Sequence, residues 1–143
     1  MGKKRVLWIS RHLPVPAQLD FLKQVIGDFD LIIQKEPLST AEDAVKLALE
    51  VKADYVVPVL PLSFIMHLVA EAQKHSFTVL RAEMETLHRC TQYPCPDFNL
   101  RTDVIMEGRD MKTGEKIYRH FRFREFVVLK EIKIITEPFK KEE

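Results

Sequence analysis

The sequence predicts an α/β domain whose mainly parallel sheet is covered by helices on both faces and extended at the C-terminal end by a β-hairpin. Two observations carry that expectation. Over residues 1–84, short apolar runs alternate with segments of helical periodicity, the pattern of a parallel sheet with crossover helices. After a polar, proline-broken connection at 85–98, residues 99–137 change to strand-like runs around a single glycine turn. The length of 143 residues suits one domain.

Arg5 to Ser10, RVLWIS, is a continuous apolar run, as expected of a strand covered on both sides. Pro14 and Pro16 interrupt the chain, and Pro16 suits a first helical position. Leu19, Leu22, Val25 and Ile26 then recur at helical spacing until Gly27, which can take a left-handed C-terminal position without strain. Asp30 to Gln34 is the second strand. Ser39-Thr40-Ala41-Glu42 reads as a capping box opening a helix that ends near Lys52 and carries Ala41, Ala44, Val45 and Ala48 on one stripe.

Asp54 to Leu60 is the third strand, and its Pro58 predicts an early end or an edge position. Leu62 to His75 is the third helix, with Phe64, Ile65, Leu68, Val69 and Ala72 inside and His67, Glu71 and Lys74 on a solvated face. Ser76 to Met84 is the fourth strand. Leu100 to Gly108 and Glu115 to Ile135 form the hairpin about Gly114, with a third strand expected over Val127 to Thr136. Residues 138–143 read as a solvated tail. The first 84 residues thus form a small Rossmann-like unit of three layers, with right-handed crossovers.

Composition narrows the function classes. Lys and Arg number 22 against 21 Asp and Glu, a net charge of +1, so no global field draws in nucleic acid. No apolar run approaches the ~18 residues that span a bilayer. The opening MGKKRVLWIS is too short in its apolar run for a signal-peptide core, so a soluble cytoplasmic protein is expected. Abundant Lys, Glu and Arg with few Gly suit a thermophilic source.

In open parallel sheets, ligands sit beyond the carboxyl ends of the strands, where strand order reverses. If the order is 2-1-3-4, Ser10-Arg11-His12 and Leu60-Pro61-Leu62-Ser63 feed that crevice, with Arg81, Glu83 and Glu85 at the end of the neighbouring strand. Arg11 suits a phosphate fork, Ser10 and Ser63 can donate, and His12 can move or donate a proton. No Gly-rich phosphate loop is present, which argues against an ordinary dinucleotide or triphosphate enzyme. A capping and solvating turn is the plain structural alternative.

Three further segments carry chemistry-bearing residues. In Tyr118 to Arg124, alternation places Phe121 and Phe123 on one face and His120, Arg122 and Arg124 on the other. That second face is either basic and open to RNA or merely solvated, and Glu115, Glu125 and Glu131 favour the latter. His88, Cys90 and Cys95 could begin a zinc site, but four regular ligands are lacking; two free thiols or an oxidised pair are the other readings, and no metal or cofactor is expected. The helix face with His67 is taken as solvated.

Ser10-Arg11-His12-Leu13-Pro14-Val15-Pro16-Ala17-Gln18 resembles the amino-terminal signature of small CRISPR-associated Rossmann-fold (CARF-type) domains. Some of these bind cyclic oligoadenylates, and some cleave them as ring nucleases. The resemblance covers about the first 80 residues. It implies a homodimer with a shared ligand pocket on the two-fold axis. It also implies metal-independent cleavage, in which a ribose 2′-hydroxyl attacks its own phosphodiester and the enzyme aligns it and steadies the developing charge. Arg11 would stabilise charge, Ser10 donate to phosphate and His12 carry the proton. Gln18, and Ser63 from the strand-end crevice, are the further expected ligand contacts. The Gly-x-Lys or Gly-x-Arg turn common after a later strand in that family is replaced here by Leu60-Pro61-Leu62-Ser63. The leading expectation is therefore a phosphorylated, nucleotide-type ligand, with ring cleavage as its sharpest form. The rival is a non-catalytic dimeric interaction module, with RNA on the basic hairpin.

Overall fold

The computed structural model describes residues 2–142. In chain order the elements are β1 (Lys4–Ile9), α1 (Pro16–Ile26), β2 (Phe29–Gln34), α2 (Ala41–Glu50), β3 (Tyr55–Pro58), α3 (Leu62–Ala72), β4 (Thr78–Cys90), β5 (Asp103–Arg109) and β6 (Lys116–Val128). The six strands form one mixed, curled sheet in the order β2-β1-β3-β4-β6-β5, an open half-barrel. The β2-β1-β3-β4 part is parallel throughout. β6 pairs antiparallel with both β4 and β5. The expected mainly parallel sheet is thus corrected to a mixed one, with a parallel half and an antiparallel half of similar extent. The assumed 2-1-3-4 order is the one found, so β1 and β3 flank the point where the order reverses.

The parallel half owes its form to residues that alternate between two apolar clusters. Leu7 and Ile9 of β1, with Val56 and Val79, pack against Ala44, Val45 and Ala48 of α2 and Leu68 and Val69 of α3. Val6 and Trp8 point the other way, joining Val57, Leu80 and Leu22 of α1. This second cluster continues into the hairpin through Phe123 and Phe126, whose rings meet that of Phe21 edge-on. Burial of both faces explains why these strands are apolar without alternation.

Several local expectations are corrected. The cap of α2 is Thr40, whose Oγ1 accepts from the Asp43 amide at 3.1 Å, and not Ser39. β3 does end at Pro58, but it lies between β1 and β4 and not at an edge. β4 runs on to Cys90, through the first part of the expected connection. Its pairing with β6 slips between Glu83 and Met84 and again between Thr86 and His88. Such bulges bend and twist a strand pair, which suits the curl of the sheet. The hairpin turns at Gly114 as expected, with φ of 73°. β6 stops at Val128, and no strand forms over 129–136. Leu129 donates one bond to the Val79 carbonyl at 2.9 Å, and Leu129 and Ile132 settle on the α2–α3 cluster instead. No helix among the described residues is long and apolar enough to cross a membrane.

Candidate functional site

Beyond the carboxyl ends of β1 and β3 lies a crevice of about 340 Å³. Its walls are mostly apolar and include Trp8, Val57, Leu60, Met84, Val104 and Phe121, with Ser10, His12, Gln18 and Arg81 as its polar groups. β1 delivers Trp8 to the wall because the same alternation that buries Leu7 and Ile9 on one face turns Trp8 to the other. The indole Nε1 donates to the His12 carbonyl at 2.8 Å, which holds the following loop against the strand. Ser10 is buried, and its Oγ accepts from the His12 amide at 3.0 Å. That bond uses an Oγ lone pair, so the hydroxyl proton is still free to donate.

On the other side of Val59 and Leu60 lies a second hollow of about 200 Å³, lined by Arg11, Gln34, Lys35, Glu36 and Pro61 among others. Ser10, Val59 and Leu60 border both spaces. α3 starts here with Pro61 as its N-cap, no capping side chain and no acidic residue in its first turn. Its first amides therefore leave the positive end of the helix unneutralised, which favours an anion.

The sequence-predicted residues are thus distributed between two neighbouring spaces. Ser10 and His12 line the crevice, while Arg11 faces the second hollow. Gln18 is buried at the crevice, where its Oε1 accepts from the Val15 amide at 2.9 Å and closes the start of α1. Ser63 is exposed in the first turn of α3 and borders neither space. Arg81 is engaged with Glu83 at 2.6 Å.

A second cluster lies at the far end of the hairpin. Alternation correctly puts His120 and Arg122 on one face of β6, but that face is not solvated. The segment 91–102 folds over it, tied to α1 by the Ala17 amide on the Arg101 carbonyl (2.9 Å) and by Arg101 on Asp20 (2.6 Å). His120 is wholly buried and Asp103 nearly so. Asp103 accepts from His120 Nε2 at 2.6 Å, from Arg122 Nε and Nη2 at 2.7 and 3.0 Å, and from the Thr102 hydroxyl at 2.7 Å. Burial alone would raise the Asp103 carboxyl; the hydrogen bonds from Arg122, Thr102, the Asn99 amide and His120 outweigh it and hold the group well below the usual carboxylate range.

His88 stands opposite His120 in the β4–β6 register, and its Nε2 meets Asp97 Oδ1 and Oδ2 at 2.9 and 3.0 Å. That contact raises the imidazole and lowers the carboxyl. Cys90 and Cys95 are joined as a disulfide, so of the readings open for them the oxidised pair is the one found. Asp97, Asp103 and Phe98, whose ring tilts against that of His120 with centroids 5.9 Å apart, have no signal in the sequence. They come together only through the fold of 91–102, and no short spacing signals it.

No family model, curated protein or solved structure matches this chain.

Proposed function

We propose that the parallel half is a Rossmann-like unit binding a nucleotide-type ligand, with its base in the apolar crevice and its phosphate toward Arg11, Lys35 and the start of α3. The observation that carries this reading is the adjacency of the two spaces across Val59 and Leu60. One offers apolar walls, Trp8 and Phe121 among them, for a base. The other offers cations and unneutralised helix amides for a phosphate. A cyclic oligoadenylate is the form that the CARF resemblance adds. Leu13, Val59 and Leu62 are each more than half exposed around these loops, and a second copy of the chain would cover them and enlarge the crevice, as in the homodimer the resemblance implies. Ring cleavage would need a ligand spanning both spaces, since Arg11 and His12 line different ones.

The pairing of three hairpin cations weighs against the rival RNA reading. Arg122 is committed to Asp103, Arg124 to Glu85 and Lys116 to Glu107. The hairpin therefore offers fewer unpaired cations to phosphate than its sequence suggests.

A thermal-shift panel of mononucleotides, cyclic dinucleotides and cyclic oligoadenylates of several ring sizes tests the proposal, with Arg11→Ala in parallel. A ligand at 100 times its Kd adds about 2.7 kcal/mol, enough to move Tm by several degrees. The expected result is a shift with one class of ligand that Arg11→Ala reduces. A flat response across the panel refutes the reading, and RNA binding would then be measured in wild type and in Arg119→Ala.

A further inference from the structure

We propose that His88 Nε2, His120 Nδ1 and a carboxylate oxygen of Asp97 form a binding site for a divalent transition-metal cation, with Zn²⁺ the best fit. The three atoms lie 2.9 Å (His88 to Asp97), 3.4 Å (His88 to His120) and 3.5 Å (His120 to Asp97) from one another. Zinc bonds to nitrogen and oxygen of about 2.0–2.1 Å in a tetrahedron place neighbouring ligand atoms about 3.3–3.4 Å apart. The observed triangle is close to one face of that tetrahedron, and a cation can enter it with small side-chain shifts.

Proton accounting points the same way. Asp103 takes two bonds from Arg122 and one from the Thr102 hydroxyl, so its contact with His120 Nε2 places a proton on that nitrogen, and in that tautomer the imidazole lone pair lies at Nδ1. That lone pair faces His88 Nε2 and the Asp97 carboxylate. His88 Nε2 has one proton at most, and the shorter contact gives it to Asp97. Two ring nitrogens and a carboxylate oxygen thus converge on one another, a donor set that a divalent cation would satisfy.

The surroundings are those of a built site. The His120–Asp103 contact is the carboxylate–histidine arrangement that fixes the tautomer and orientation of a metal-binding imidazole. Arg122 holds Asp103 in turn with two bonds. The Cys90–Cys95 disulfide joins the end of β4, two residues beyond His88, to the loop two residues before Asp97, and so fixes the loop that supplies the third ligand. His88 and Asp97 are partly open to solvent, which leaves the fourth position to water or to a ligand. The site stands apart from the crevice and does not depend on what binds there.

The test uses tag-free, chelator-treated full chain with its disulfide intact, as checked by thiol titration. Zinc chloride is titrated calorimetrically, and cobalt chloride is followed by its visible absorption. The expected result is one Zn²⁺ per chain and the bands of four-coordinate Co²⁺ without thiolate charge transfer. Asp97→Ala and His88→Ala should each weaken binding more than about tenfold, while Arg89→Ala should not. Asp97 is 56% exposed, so its truncation should leave the metal-free Tm within a few degrees. Absence of binding at tens of micromolar metal, or binding undiminished in Asp97→Ala, would overturn the proposal. So would binding that appears only after reduction and is lost in Cys90→Ser, since that would assign the metal to thiolates.

Discussion

The two halves of the sheet solve the same burial problem with different chemistry. The parallel half encloses aliphatic side chains between strand and helix, with Leu7, Val56 and Leu68 fully buried among them. The antiparallel half has no helix over its second face. A short loop covers it, and what lies beneath is an aspartate, a histidine and part of an arginine, with a second histidine at the rim. Apolar burial is non-directional and tolerates adjustment. A buried ionic cluster has fixed partners, and its cost falls on whichever group is left alone. The parallel half should therefore lose stability gradually with lost volume, and the hairpin half abruptly with a lost partner.

The largest effect should come from Asp103→Ala, which strands a buried imidazole and a guanidinium. The expected loss is about 3–5 kcal/mol by urea denaturation. This loss should depend on pH. The folded carboxyl titrates well below its unfolded counterpart, so its contribution is present above about pH 4, the unfolded value. It is lost as pH falls further toward the folded value. In EDTA, the wild type should lose more stability than Asp103→Ala between pH 5 and pH 3; parallel curves would break the comparison.

Leu68→Ala in the other half should cost about 2–5 kcal/mol, with the same penalty at pH 5 and pH 3. A pH-dependent penalty there would show that the two halves are not chemically separable. Next in size is reduction of the disulfide. Joining residues five apart restricts the unfolded chain by about 2 kcal/mol, so dithiothreitol should lower the denaturation midpoint by a corresponding amount. An unchanged midpoint would mean that the cover over His120 does not need its covalent tether.

The smallest effect sharpens the reading of the sequence itself. Thr40→Ala should cost about 1 kcal/mol and Ser39→Ala almost nothing. Both residues can cap, and the pattern Ser-x-x-Glu favours Ser39. The helix starts one residue later, with Thr40 in the extended conformation that a cap requires.

That one-residue slip shows how far the sequence could be read. In the parallel half each element carries its own signal: Leu19, Leu22 and Ile26 mark a helix without reference to any other part of the chain. Strand and helix positions follow from such local patterns, whereas the order 2-1-3-4, and with it the crevice below Ser10, comes from the habit of open parallel sheets and not from any residue. In the hairpin half the signals are relational. Glu85 to Cys90 looks like a loop because it is polar, yet it is strand because β6 offers it a partner. His120 looks solvated because it lies opposite Phe121 and Phe123. It is buried because Asp97, Asp103 and a disulfide bring 91–102 over it, and none of those is close to it in sequence. At the crevice the residue types were legible, but their directions were not. Adjacent residues of a turn diverge, which sends Arg11 and His12 into different spaces.

The most direct test of the functional account uses Trp8, the chain's one tryptophan, which forms part of the crevice wall. Its emission would be followed while the protein is titrated with each nucleotide class, in wild type and in Arg11→Ala. The account predicts a saturable change in emission for a phosphorylated, base-containing ligand, displaced to higher concentration in Arg11→Ala, and no change with inorganic phosphate alone. Emission that stays constant for every nucleotide tested would contradict it.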